Sequence, residues 1–432
     1  MRDKRHMSIR QNLHPRRLSW AWALALTLWG GMACADTLGL PQVLEAARNN
    51  LDVSMAQQAA EAARADVLAA NRSPFPIFTA KTSQMDLENG IGGGAFGQKK
   101  IDKSGGIDWT WERGNKRGLR TQSAERQANA AAADLQDMRV MQQLGAASAY
   151  FDLLAALERN REMQALANSA KQLAQSAAVR LKAGDLSAQE SARLEIEAQR
   201  AQADAHSAQL DQERAVLQLG QFTNLRIHLK SWHIKSDWPQ LEAMLDASTV
   251  QEAWLDQRPD VLAAQERVSA ARAALDLAQA QKNSDLTLGG SLDHYPTQSR
   301  RLLELRVSMP LQWGYGYEGE IGRAQAQMTL AQDLLEKTRR DALADFQRML
   351  QERNAAQQRE TLYEQDLLPR ARRVAEQAEL AYVHGASSLT DLLDARRTLR
   401  STLIEAAFTR ADYAKAHTAW QLRTPPQNPS TR

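Results

Sequence analysis

Between Leu119 and Phe222 the chain contains no proline and only three glycines, Gly145, Gly184 and Gly220. A stretch this rich in Ala, Gln, Arg, Glu and Leu has every local reason to stay helical. Its apolar residues recur at Val140, Leu144, Ala147, Phe151 and Leu154, alternating steps of four and three, the spacing of a coiled-coil seam. Leu119 to Ala183 alone predicts a rod of roughly 100 Å at ~1.5 Å per residue. A compact domain has no use for such a rod. Length by itself suggests two or three domains, but this periodicity argues for one elongated body.

Lys and Arg number 54 against 51 Asp and Glu, so no overall field draws the chain to nucleic acid, and no such partner is expected. Outside the N-terminus no run of ~18 apolar residues occurs, so no transmembrane helix is expected. A membrane β-barrel stays open, because its strands leave only a weak alternating signal. Cys34 is the only cysteine, which excludes an internal disulfide framework and a cysteine-rich metal site.

Residues 1–35 read as a secretory signal peptide. Arg2, Lys4, Arg5, Arg10, Arg16 and Arg17 precede an apolar core from Leu18 to Met32, and Ala33-Cys34-Ala35 forms a cleavage site before Asp36. The alternative is a lipidated Cys34, although Gly31 stands where a lipobox carries leucine.

The mature chain contains a repeat. Asp52-Val53-x-x-Ala56-Gln57 with Ala63-Arg64-Ala65 recurs as Asp260-Val261-x-x-Ala264-Gln265 with Ala271-Arg272-Ala273. Each copy predicts a helix of about 25 residues. The breaks follow at Pro74-Phe75-Pro76 and Asn283-Ser284-Asp285. The period then changes to two: Ile107, Trp109 and Trp111 alternate with polar residues, as do Leu303, Leu305, Val307 and Met309. Their weaker partner strands are expected over Ile77–Gln84 and Leu286–Leu292. The first hairpin carries a glycine-rich exposed loop at 90–97, and the second turns at about His294–Arg300.

Each hairpin precedes another long helix, one starting near Asn115 and the other near Glu320. The second should reach Leu368, with Pro369 kinking or restarting it. Both then meet a glycine break followed by a helix start: Gly184 with Ser187 and Glu190, and Gly385 with Ser388 and Asp391. Glycine ends one helix, and the serine–acid pair is a capping box for the next. The domain reading is therefore two repeats, 36–230 and 231–432, each running helix, hairpin, long helix, tight turn, returning helix. The fold class is mainly α with a small β part. Four strands cannot close a barrel and leave edges, whereas three chains would supply about twelve, enough for a pore.

This pattern, over roughly Leu38 to Leu422, resembles the TolC family of outer-membrane efflux proteins, most closely its CzcC-like heavy-metal branch. The branch resemblance rests on Arg113-Gly114-Asn115-Lys116-Arg117-Gly118-Leu119-Arg120 and on Tyr317-Glu318-Gly319-Glu320-Ile321-Gly322-Arg323-Ala324, where the branch shows a G-E-I-x-R-A segment. Asn115 departs from the branch's glycine, and Trp313-Gly314-Tyr315-Gly316-Tyr317 replaces a more polar turn. The resemblance implies a homotrimer with a β-barrel in the outer membrane and an α-helical barrel crossing the periplasm. It also implies docking on a periplasmic adaptor and an inner-membrane pump of the resistance-nodulation-division (RND) type. The adaptor contacts would be the turns holding Gly184, Ser187, Gly385 and Ser388. The family's aspartate ring maps onto Asp391 and Asp394 in Thr390-Asp391-Leu392-Leu393-Asp394, as a cation-favouring pore gate. Asp391 also reads simply as a cap and a first-turn acid suited to the helix dipole. Arg193 holds the position in the first repeat that matches Asp394.

Other signals are weak. His228 and His233, with Asp237 beyond, lie in a Trp-containing segment; the spacing of five suits helical metal ligation poorly, and a segment packed on the helical tube is the better reading. No nucleophile–base motif emerges, so neither enzyme nor cofactor is expected. The predicted function is a passive efflux conduit, for heavy-metal cations on the branch resemblance. Drugs or an exported polypeptide are the alternative cargo, and a periplasmic coiled-coil scaffold or adaptor is the alternative class.

Overall fold

The computed structural model describes residues 36–225, 232–246, 252–296 and 299–425. Both the signal segment with Cys34 and His228 lie outside these residues. A short strand, β1 (Asp36–Leu38), leads into α1 (Leu40–Arg48) and α2 (Leu51–Ala70). The first hairpin is β2 (Ile77–Ser83) and β3 (Asp102–Trp111); α3 (Lys116–Ala183) and α4 (Ala188–Thr223) complete the first half. Then come β4 (Trp232–Ile234), α5 (Pro259–Ala280), β5 (Leu286–Tyr295), β6 (Ser299–Ser308), α6 (Glu318–Leu362), α7 (Leu368–Val383) and α8 (Leu389–Arg423).

The spine is α3, 68 residues without interruption, and α1, α2, α4, α5 and α8 all pack against it. The coiled-coil spacing understates its burial. Val140 and Leu144 are only half-buried, yet from Ala146 to Ala155 the helix is enclosed on several sides, with Tyr150, Phe151 and Leu153 fully buried. There α1, α4 and α8 share one core with Val43, Ala47, Leu219, Ala411 and Ala414. Small side chains let the backbones come close. At Gly145 a β-carbon would sit 2.3 Å from the Phe222 ring, so only glycine lets α4 approach there. Ion pairs join the same helices: Arg159–Asp211 at 3.0 Å, Arg410–Glu158 at 2.9 Å and Arg423–Asp137 at 2.7 Å.

The segment holding Trp232 and Trp238 packs on the helices. β4 pairs in parallel with β1, and Trp238 stacks on Phe151 with centroids 5.9 Å apart. Tyr413 Oη accepts from Glu242 N and donates to Gln240 O, and the fully buried Arg353 reaches Glu242 at 3.2 Å. His233 is exposed on β4, and no metal-holding group occurs among the described residues.

The long helix ends at Leu362, earlier than expected, and it restarts at Pro369 as expected: α7 begins at Leu368 with the proline in its first turn. The chain passes through a π-helical turn at Tyr363–Leu367 and continues into α7. A widened turn accommodates the missing N–H and the ring's demand for room. The strands begin earlier than the alternation alone suggests, β3 at Asp102 and β6 at Ser299, and β5 continues to Tyr295. Aligned on their helix starts, Arg113–Arg120 corresponds to Tyr315–Gly322. Asn115 and Tyr317, both left-handed with φ 57° and 60°, directly precede α3 and α6. Asparagine adopts that conformation readily, as the branch's glycine does; tyrosine does so at a cost.

The π turn lies beside a buried carboxyl. Glu360 is 6% exposed. Burial, reinforced by Glu364 and opposed by Arg410, pushes it from 4.5 up to about 7. Between those values the folded chain keeps a proton that the unfolded chain has released, so stability falls as pH rises. We predict that Glu360→Gln removes this dependence, worth at most about 3 kcal/mol. Unfolding at pH 5 and pH 8 is the measurement; identical pH dependence in wild type and variant would reject the assignment.

Candidate functional site

The hairpins form one four-stranded antiparallel sheet in the order β2-β3-β5-β6. Directly paired residues share a face, so the register assigns every side chain. Phe78 pairs with Ile107, Trp109 with Leu288, Trp111 with Leu286, Leu288 with Val307 and Leu292 with Leu303. All lie on one face, where Leu305 joins them opposite Gly290. Leu303, Leu305 and Val307 are 71%, 80% and 67% exposed. That face is an apolar sheet surface with nothing of its own chain covering it.

The other face is polar and internally bonded. Arg306 reaches Asp108 at 3.0 Å, Thr110 meets Thr287 at 3.0 Å, and Ser291 donates to Asp293 at 3.1 Å. Close backbone approach explains Gly106, where a β-carbon would lie 2.8 Å from Ser291 Cβ and 2.9 Å from Gly290 O. The glycine-rich loop closes locally through Lys100 N to Ile91 O at 2.9 Å, with Gly90, Gly92 and Gly94 all at positive φ.

At the opposite end of the helices the two glycine turns lie together. Ala177, Leu194, Tyr382, Leu389 and Leu392 form one small core between them. The turns are built alike. Gly184 and Gly385 are left-handed, at φ 82° and 73°. Asp185 N donates to Arg180 O at 2.9 Å and Ala386 N to Ala381 O at 2.7 Å, a six-residue closure in both. Both capping boxes are formed: Glu190 N donates to Ser187 Oγ and Asp391 N to Ser388 Oγ, each at 3.2 Å.

Asp391 and Asp394 stand one turn apart at the start of α8, both exposed. Asp391 Oδ2 accepts from Ser388 N and Oγ at 3.1 and 2.8 Å, so one of its oxygens serves the cap. Asp394 lies 3.4 Å from Arg397 and is 64% exposed, a loose pair that leaves the carboxylate in water. Arg193 is exposed at the matching place on α4.

Sequence reasoning missed the β1–β4 pairing, the π turn, Glu360 and the two left-handed helix starts. Gly114-Asn115 offered a signal for one of those starts, since both residues favour positive φ. Tyr317 offered none.

Residues 250–422 match the model of a family described as outer membrane efflux protein. A comparison with curated protein sequences finds no match. Among solved structures, the chain resembles a membrane protein from Pseudomonas aeruginosa, with a TM-score of 0.76, 18% identity and coverage of 89% of this chain and 92% of that one. It also resembles the CmeC outer membrane channel of Campylobacter jejuni, at TM-score 0.76, 18% identity and 89% and 85% coverage. The open state of the MtrE outer membrane channel of Neisseria gonorrhoeae gives TM-score 0.72, 19% identity and 89% and 88% coverage. The fold is therefore that of these channels, mainly helical with a small sheet, and the second half carries the efflux family's sequence pattern.

Removing the Ser388 hydroxyl should loosen the start of α8 by about 1 kcal/mol. In Ser388→Ala, amide exchange at Asp391 should quicken about fivefold; unchanged exchange would show that Leu389 and Leu392 pin the turn without the cap.

Proposed function

We propose that this chain is the outer-membrane channel of a tripartite efflux system, a non-enzymatic passive conduit extending from the outer membrane into the periplasm. The observation that carries the reading is the sheet: four strands, one face apolar and uncovered, the other polar. Lipid on one side and water on the other is the environment that suits both faces. Its outer strands, β2 and β6, have unpaired backbone groups that lipid would not satisfy. A homotrimer with about twelve strands pairs β6 of one copy with β2 of the next and closes the barrel.

In this reading residues 36–230 and 231–432 are the two efflux repeats. The adjacent turns at Gly184–Ser187 and Gly385–Ser388 meet a periplasmic adaptor, and an RND pump in the inner membrane supplies the energy. Asp391 and Asp394 from three copies narrow the periplasmic entrance as a ring of carboxylates that favours cations. Heavy-metal cations are the proposed cargo, supported by that acidic pair and by the branch-like segments around Gly118 and Gly322.

Two experiments test this. Val307→Asp places a charge on the apolar face, which at mid-bilayer costs a few kcal/mol. The variant should accumulate outside the membrane fraction, and normal trimer assembly would remove the lipid-facing role. Asp391→Asn with Asp394→Asn keeps an acceptor for the cap while removing both charges. The reconstituted double variant should lose most of its preference for potassium over chloride; unaltered reversal potentials would dismiss the gate.

A further inference from the structure

We infer that the apolar face of the sheet ends in a phosphate-binding rim, occupied by the phosphorylated head group of outer-leaflet lipid. This rests on reading the sheet as a membrane surface. The register brings the residues together. Lys103 lies directly opposite His294, one same-face step beyond the Gly105–Leu292 pair. On β6 the pairing shifts by one residue beyond Asp293–Leu302, and this β-bulge sets Arg300 and Arg301 together against His294 before Tyr295 meets Ser299. A row of basic side chains therefore crosses three adjacent strands on the apolar face, about 7 Å beyond the last apolar pair. It lies at the hairpin end, remote from the helices.

The surroundings suit an anion at a lipid–water boundary. Lys103 Nζ donates to Lys99 O at 3.1 Å and sits 5.3 Å from the centre of the Phe96 ring, leaving further ammonium donors unused. Phe96 is 63% exposed, and an exposed aromatic beside cations is the usual composition of a membrane interface. Lys100, Arg300 and Arg301 are exposed around the same end. The nearby acids do not neutralise the row, because they project to the other face. Asp293 pairs with Ser104, Glu304 with Ser291, and Asp102 alternates with Lys103. Asp102 and Asp293 are 7% and 4% exposed. Charge is thus separated across the sheet at one level, buried carboxylates on the polar face and cations on the apolar face. At the height where the apolar band stops, the anion available to those cations is the lipid phosphate.

The test uses the full-length protein in phosphatidylcholine nanodiscs carrying either diphosphorylated lipid A or the same lipid without its phosphates. Retained lipid is counted by native mass spectrometry, and insertion is checked by protease protection in vesicles of the same lipids. Each cation near such a surface contributes roughly fivefold to association. Lys103→Gln with Arg301→Gln should therefore weaken retention of diphosphorylated lipid A about twentyfold and leave the dephosphorylated lipid unaffected. Lys103→Arg with Arg301→Lys should retain it, and Lys337→Gln with Arg340→Gln, on α6, should behave as wild type. An inserted protein that holds both lipids equally, or whose glutamine variant holds lipid A like wild type, overturns this inference alone. A protein that never inserts overturns the membrane reading, and this inference with it.

Discussion

Backbone hydrogen bonding at the edges of the sheet is the constraint on which the rest depends. Inside the sheet each strand is paired on both sides, but β2 and β6 are outermost. In water, an edge can be satisfied by solvent. Beside an apolar face built from Phe78, Ile107, Leu305 and Val307, the solvent that suits the side chains is lipid, and lipid offers no partners for N–H or C=O. The side chains and the edges therefore make incompatible demands on a single copy. Several copies arranged edge to edge meet both demands at once, because closure removes edges altogether. The helices follow from this. Each strand hairpin continues into a long helix, so the ring proposed for the hairpins would impose a ring of helices below it. Alanine-rich contacts and the glycine at 145 let those helices pack at the close spacing such a ring needs.

Much of this was legible because the two secondary structures have different periods. The change from steps of three and four to steps of two at Ile107–Trp111 and Leu303–Met309 marked the strands, and their apolar set is the uncovered face. The turns were legible through chemistry that depends on few atoms: a left-handed glycine and a serine with an acid three residues on. What was not legible depends on packing between distant segments. The burial of Ala146–Ala155 on several sides comes from α1, α4 and α8 converging, which no local window contains. Tyr317 at positive φ follows from the geometry of the strand-to-helix corner, with Gln312 Nε2 donating to its hydroxyl at 3.1 Å. Pro369 was legible as a restart, since α7 begins at Leu368, but the π turn at Tyr363–Leu367 that leads into it was not.

The two halves of the chain share a backbone plan but differ in charge, and the difference falls at the turns. Both use a serine cap answered by an acid, Glu190 in one and Asp391 in the other, and the bonds formed are nearly equivalent. The cap therefore accounts for the acid at that position in both copies and for nothing beyond it. One turn further along the chemistry separates: Arg193 on α4, Asp394 on α8. Neither residue is needed to start its helix, and both are exposed. A capping requirement predicts an acid at the third position of each box and is silent about the sixth, so Asp394 is the residue whose charge the fold leaves unexplained. That is the physical reason to rest a gate on Asp394 first. Asp391, with one oxygen committed to Ser388, joins it as a second carboxylate on the same helix face.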